Sequence, residues 1–259
     1  MDTIHPHFSA YLEWRREGLL SCDGVVVGSD QTHEWLLPWW WGHYQRSNDF
    51  PVTFIDFGMS KEMKCWCLER GELISLPLLE AYLPSKEEID PALVHSWEKA
   101  FGQHFWRYRH AWFKKPLACL RSPYARTIWI DIDCEIRASL QDLFSFCEHP
   151  SHLALAYDYS TEDLSLYNSG VIVFKQGQSL LQEWASSLFT DIHAFAGDQD
   201  SLSKILHEKN VTPNLLPQVY NWLRCYPDNP DALILHWHGD VGKRIITHQI
   251  LRSQLGSVP

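Results

Sequence analysis

The run Trp129-Ile130-Asp131-Ile132-Asp133 closes an apolar, strand-like stretch over residues 127–132 with two carboxylates, groups that a buried strand does not carry unpaired. In an extended segment residues i and i+2 share a face, so this spacing predicts that Asp131 and Asp133 hold one ligand between them. A hard divalent cation fits: Mg²⁺ in particular is held by one or two carboxylates plus the phosphates of a substrate. Two Asp at this spacing also end strands and cap turns. The functional reading therefore depends on what the neighbouring elements bring to the same edge.

Those elements alternate. Gly24-Val25-Val26-Val27-Gly28 reads as a buried strand, followed by polar Ser29-Asp30-Gln31-Thr32 and a helical pattern through Trp35, Leu36 and Trp39. Val52-Thr53-Phe54-Ile55 is a second strand ending at Asp56, and Ser60-Lys61-Glu62-Met63 starts the next helix. Asp90-Pro91 supplies an N-cap and first-turn proline for one amphipathic helix with apolar positions Val94, Trp97, Phe101, Phe105, Tyr108 and Trp112. It is expected to stop near Lys114-Lys115-Pro116, where cations suit the helix end and proline forbids continuation. Residues 153–156 and 170–174 read as strands, 180–189 as a helix, Gly197-Asp198-Gln199-Asp200 as an acidic turn before a helix through Leu202, Ile205 and Leu206, and 232–235 as a last strand delivering His236. Strands mixed with helices throughout imply a single α/β domain over residues 1–259, built on a mostly parallel two-faced sheet with ligands beyond the carboxyl ends of its strands. Asp30, Asp56, Asp131, Asp133 and His236 fall at that edge.

Composition narrows the class. A formal net charge of -10 with scattered basic residues argues against a nucleic-acid surface. No run approaches the roughly 18 apolar residues of a membrane span, and the first residues lack the charged-then-apolar order of a signal peptide. The chain reads as cytosolic, with secretion as an effector the open alternative. Its seven cysteines lack zinc-ligand spacing, and Cys65-Trp66-Cys67 reads as reduced, partly buried thiols.

Five segments in order, IWIDIDCEI, YNSGVIVF, GDQDSL, LPQVYNW and LHWHGDVGK, resemble the GT-A glycosyltransferases, and most of all their family-8-like retaining branch. The matching stretch spans residues 24–243, with the specific motifs within 115–243. The resemblance implies a Rossmann-like fold that binds nucleotide-diphospho-sugars. It implies that Asp131, Asp133 and His236 hold Mn²⁺ or Mg²⁺ against the diphosphate of a UDP-sugar, and that Gly239 and Lys243 contact that diphosphate. Asn168 and Asp198 match positions facing the donor sugar, Gln199 its reacting face, Asp30 a base contact, and Lys115 a basic donor contact; Asp56 is grouped with the donor residues from its place at the strand edge. One departure stands out: Lys243 lies four residues after Gly239, where the family spacing is three. The region from Thr32 to Tyr44, with Trp35, Trp39, Trp40 and Trp41, has no counterpart and reads as core or subunit contact before sugar platform.

Each residue also has a plainer reading. His236 beside Trp237 fits a packed core histidine, and His238 is an equally close alternative ligand, with the His-x-x-Gly spacing selecting His236. Asp198 could be the N-cap of the helix it precedes, and Asn168-Ser169-Gly170 a turn. A haloacid-dehalogenase-like phosphatase is disfavoured because Cys134-Glu135 follow the carboxylate pair, and a pyrophosphorylase because no Gly-rich, Arg-containing loop follows the first strand. The expected activity is metal-dependent transfer of a hexose from a UDP-sugar to an acceptor that is glycan, lipid or protein. The alternative is a non-catalytic nucleotide-sugar or glycan-binding module on the same scaffold.

Overall fold

The computed structural model describes residues 20–76, 83–159 and 166–255. The N-terminal stretch read for its lack of a signal peptide lies outside the described residues. The first half contains β1 (Leu20–Ser29), α1 (Leu37–Tyr44), β2 (Val52–Asp56), α2 (Lys61–Leu68), β3 (Glu72–Ser75), α3 (Pro91–Phe101), α4 (Trp106–Leu120), β4 (Tyr124–Ile130) and β5 (Cys134–Ile136). The second half adds β6 (Leu153–Tyr157), β7 (Tyr167–Lys175), α5 (Ser179–Thr190), α6 (Asp198–Glu208), β8 (Asn214–Leu215), β9 (Trp222–Leu223), β10 (Ile234–His236) and α7 (Gly239–Leu255).

Unbroken β-branched runs make a sheet that is covered on both faces. Val25, Val26 and Val27 are all fully buried, with Val26 packing beside Trp129 and Ile172 under α4 and α5, and Val25 and Val27 beside Phe54 and Ile128 on the opposite face. The main sheet has the order β3-β2-β1-β4-β7-β6-β8. β3, β2, β1 and β4 run parallel, β7 is antiparallel to both its neighbours, and β8 runs parallel to β6. The expected mostly parallel α/β sheet is therefore present. A second sheet, β5-β10-β9, stands at its carboxyl edge. The tryptophans of α1 belong to the core: Trp40 is fully buried and stacks on Tyr44, and Trp41 packs against Tyr44, Phe54 and Trp66.

Two helix starts form as their residues dictate. The Ser60 hydroxyl accepts from the Met63 N–H (3.2 Å), and the Asp90 carboxylate from the Ala92 N–H (2.7 Å). The long helix expected after Asp90 is instead two. α3 ends at Gly102, whose φ of 78° lies in the left-handed region, and a short turn at Gln103–Phe105 precedes α4. α4 then runs through Pro116 to Leu120, a proline costing one helical bond and not ending the helix. Lys114 and Lys115 are buried inside it, so they serve interior acceptors and not the helix end. Lys114 Nζ donates to the Phe57 carbonyl at 2.7 Å.

Candidate active site

Strand termini assemble the site. β4 stops at Ile130, two residues earlier than an extended run through Ile132 would have it: the Asp131 N–H still donates to the Gly170 carbonyl of β7 (2.8 Å), but its own carbonyl turns out of the sheet to accept from the Cys134 N–H (3.0 Å). Asp131 and Asp133 thus sit on a tight turn that links the two sheets. β5 begins directly after Asp133 and pairs with β10, setting Cys134 opposite His236, and the Trp237 N–H donates to the Asp133 carbonyl (2.9 Å). The small sheet thereby carries His236 to the turn.

The side chains converge. His236 Nε2 lies 3.4 Å from Asp133 Oδ1 and 3.9 Å from Asp131 Oδ2. Gly170 makes that approach possible, since a Cβ there would lie 2.3 Å from His236 Cε1. Asp131 Oδ1 also accepts from Trp129 Nε1 (2.7 Å), and Lys243 Nζ donates to Asp133 Oδ2 (2.7 Å). Lys115, 4 % exposed, binds Asp131 (3.0 Å), Asp198 Oδ2 (3.2 Å) and the Ser169 hydroxyl (3.0 Å), bridging the carboxylate turn to the start of α6. Burial opposes the Lys115 charge, but the two carboxylates outweigh it and hold the amine above its ordinary range. Burial likewise acts against the Asp133 carboxylate, where Lys243 and His236 win and hold its carboxyl well below the usual range. For Asp198 burial wins over Lys115 and pushes the carboxyl up.

These groups line one cleft, which Asp30, His33, Tyr108, Trp112, Asp158, Asn168, Gln199 and Gly239 also border, with a cavity volume of about 350 Å³. Asp30 there has its Oδ1 held by the His33 N–H (3.0 Å) and ring Nδ1 (3.2 Å). Burial raises the Asp30 carboxyl, but the combined bonds to His33 leave it below the usual range. Asp56 is not brought to the cleft. Its carboxylate is used by the Gly58 and Met59 N–H groups (2.8 and 2.7 Å), the Ser75 hydroxyl (3.0 Å) and Lys64 (2.7 Å), so it closes the turn after β2.

No protein-family model matches the sequence, and neither does any curated protein. Solved structures do. A galactosyltransferase, LgtC, in complex with donor and acceptor sugar analogues matches with a TM-score of 0.55 at 14% identity, over 92% of this chain and 98% of that one. The glycosyltransferase GlyE of Streptococcus pneumoniae matches with a TM-score of 0.58 at 16% identity, over 85% of this chain and 55% of that one. Mouse xyloside xylosyltransferase 1 matches with a TM-score of 0.53 at 15% identity, over 85% of this chain and 98% of that one. The chain has the GT-A glycosyltransferase fold.

Within the GT-A frame, the spacing of Lys243 is explained by its element. Gly239, at φ 74°, opens α7, and positions three and four residues along a helix share a face, so one extra residue leaves the lysine on the cleft side. The N–H groups of that helix start stand at the cleft together with Lys243, whose amine is bound to Asp133, an arrangement able to receive an anion. Asp198 is the first residue of α6 and not its N-cap. The capping falls to Asp200, which accepts from the Gly197 N–H (3.2 Å). His238 also borders the cleft, its ring centroid 5.7 Å from that of His236, because β10 ends at His236 and the two rings no longer follow a strand's alternation. Burial lowers His238 to about 4.

Asp131 and Asp133 from one turn and His236 from the end of β10 bring carboxylate oxygens and an imidazole to the same place, a donor set that would suit Mn²⁺ or Mg²⁺. Of these, Asp133 and His236, with Cys134, place one donor atom each within 4.8 Å of one another. Burial pushes the Cys134 thiol well above its ordinary value, and its soft sulfur is not the donor that a hard cation selects. Sequence reading missed Asp158. Its Oδ2 accepts from both Asn168 Nδ2 (3.0 Å) and Gln199 Nε2 (2.8 Å), and the only local signal was its place at a strand's carboxyl end.

Proposed function

We propose that the protein is a metal-dependent glycosyltransferase that moves a hexose from a UDP-sugar to an acceptor, with retention at the anomeric carbon as the family-8 resemblance implies. The observation that carries this reading is the convergence of Asp131, Asp133 and His236 at one end of a cleft whose sugar-facing wall is Asp198 and Gln199, with Lys115 bridging the two. A cation held by Asp131, Asp133 and His236 would supply Lewis-acid neutralisation of the leaving diphosphate. Lys243 and the start of α7 bind the same oxygens from the other side and add to that neutralisation. Lys115 binds both the partly exposed Asp131 carboxylate and the buried Asp198 carboxylate and fixes their orientations. Asp198 Oδ1 and the remaining lone pair of Gln199 Oε1, which accepts once from the Ser169 N–H (3.3 Å), would face the anomeric region, where a positive, oxocarbenium-like centre is stabilised by a nearby carboxylate or amide oxygen. Asp30 and His33 line the same cleft and would supply the polar contact to the nucleobase.

The test is a thermal-stability panel of nucleotide-sugars with and without Mn²⁺, followed by assay of UDP release from UDP-glucose and UDP-galactose without acceptor. Mn²⁺-dependent stabilisation by UDP that disappears in Asp133→Ala, together with slow UDP release, is the expected result. Equal UDP binding in chelator and in Mn²⁺ refutes the metal site. Stabilisation without turnover of any nucleotide-sugar assigns the protein to the binding-module class.

A further inference from the structure

Asn221 is fully buried, lies in the LPQVYNW segment, and has no part in the reaction as drawn above. It joins His236 to the sugar-facing wall through a chain of amides whose polarity is fixed from outside. The Gly170 N–H, necessarily a donor, binds Asn168 Oδ1 at 2.9 Å, and Asn168 Nδ2 donates to Asp158 Oδ2 at 3.0 Å. Asn168 therefore presents only its oxygen to Asn221, whose Nδ2 donates to it at 2.8 Å. The remaining Asn221 Oδ1 lies 3.1 Å from His236 Nδ1. Because an amide oxygen only accepts, His236 must carry its hydrogen on Nδ1. Nε2, which faces Asp133 and Asp131, is then the ring atom left to give up its hydrogen to a cation. The far end of the chain is anchored equally: Gln199 Nε2 donates to the same Asp158 oxygen at 2.8 Å while Gln199 Oε1 accepts from the Ser169 N–H at 3.3 Å.

We propose that Asn221 is a positioning residue that sets the His236 tautomer for cation binding, linking the cation ligands to the amides that face the donor sugar. Without the Asn221 oxygen, the favoured arrangement places the hydrogen on Nε2, where it donates to Asp133 and blocks the ligand lone pair. The fold positions Asn221 for this: β9 starts at the next residue and pairs with β10, setting Leu223 opposite His236. The proposal rests on the reading of His236 as a cation ligand, and its first readout is independent of that reading.

In the metal-free protein, long-range ¹H–¹⁵N NMR of the ring nitrogens, with His236 assigned by comparison with His236→Ala, should show hydrogen on Nδ1, whether or not Nε2 also carries one against Asp133. Hydrogen on Nε2 with none on Nδ1 in the wild type overturns the proposal, whatever any variant does. Asn221→Leu should move the hydrogen to Nε2 and weaken Mn²⁺ binding, followed by electron paramagnetic resonance, roughly 10–100-fold. Asn221→Asp keeps an acceptor against Nδ1–H but loses the donor to Asn168 Oδ1, so it should keep the tautomer and lose less Mn²⁺ affinity than Asn221→Leu, an ordering that loss of packing alone would not produce. Unchanged tautomer and affinity in a folded Asn221→Leu protein overturn the proposal. Should Asn221→Leu not fold, the wild-type spectrum and Asn221→Asp decide. Undiminished Mn²⁺ binding by His236→Ala would instead refute the ligand reading and leave the tautomer assignment standing.

Discussion

Replacing Lys115 by Met tests the electrostatic centre of the site while keeping a side chain of similar length in α4. The ammonium lies 3.0 Å from Asp131 Oδ1 and 3.2 Å from Asp198 Oδ2; Lys115 and Asp198 are enclosed, and the Asp131 side chain is 23 % exposed. At an effective dielectric constant of about 20, a unit pair at about 3 Å is worth about 5 kcal/mol before desolvation. Desolvating the amine offsets part of this, and removing one partner of a buried pair typically costs about 3–5 kcal/mol because the other charge is left behind. The sign with pH follows. In the wild type the Lys115 pKa is raised, so its contribution is complete below the unfolded lysine value of about 10.4 and is lost only as pH rises through the higher folded value. Between pH 5 and 8 the wild-type contribution of this amine is therefore flat. In Lys115→Met the orphaned carboxylates can take up protons as pH falls, with Asp198 first because burial already pushes it up. Urea unfolding at pH 5.5, 7 and 8 should show a deficit of about 3–5 kcal/mol at neutral pH that narrows toward pH 5.5 at constant m value. A deficit below about 1 kcal/mol, or one independent of pH, would show that Lys115 does not balance these two carboxylates.

Three further outcomes are expected. Gly170→Ala places a methyl 2.3 Å from His236 Cε1 and 2.9 Å from Asn168 Oδ1, so Mn²⁺ affinity should fall at least tenfold with a stability loss of about 1–3 kcal/mol, read by metal titration and melting. Asp200 is raised to about 6, chiefly by burial, so the folded state holds a proton that the unfolded state releases and stability falls as pH rises from about 4 to 6. Asp200→Asn should remove that slope and gain up to about 3 kcal/mol at pH 7, with an unchanged slope counting against the assignment. Asp198→Asn should cut UDP release from a UDP-sugar more than tenfold with little loss of UDP affinity, and a parallel loss of both would make Asp198 a binding residue.

The parts of this molecule that were legible from residues alone are those whose physics is local. The valines of β1 and the apolar run of β4 announce a two-faced sheet because nothing else tolerates them, and Asp131 is conspicuous because it follows such a run. The break between α3 and α4 was hidden because Phe101, Phe105, Tyr108 and Trp112 keep a three-or-four spacing across it, and only the φ of Gly102 marks the change. Lys114 and Lys115 misled for the same reason. Beside Pro116 they look like a helix end, and their acceptors, Phe57, Asp131, Ser169 and Asp198, are 16 to 83 positions away in sequence. Asp158 carries no local mark at all, since its partners Asn168 and Gln199 are 10 and 41 residues downstream.

The same contrast explains why the Asp131 to Asp133 spacing led to the right neighbours by the wrong route. Strand alternation would have put both side chains on one face, yet the strand ends at Ile130 and the residues lie on a turn. What aligns them is a pair of long-range constraints: the Asp131 N–H is tied to Gly170 on β7, and Asp133 is tied to Trp237 at the end of β10. Each carboxylate is then oriented by its own lysine, Asp131 by Lys115 from α4 and Asp133 by Lys243 from α7. Because these constraints come from separate elements, a substitution that loosens one should leave the other carboxylate in place. Lys243→Met should therefore weaken Mn²⁺ and UDP binding while sparing the acid-sensitive interaction of Lys115 with Asp198, whereas Lys115→Met should disturb both. Unfolding profiles against pH for the two variants, measured beside their Mn²⁺ titrations, separate these outcomes, and identical profiles would show that the two lysines act as one unit.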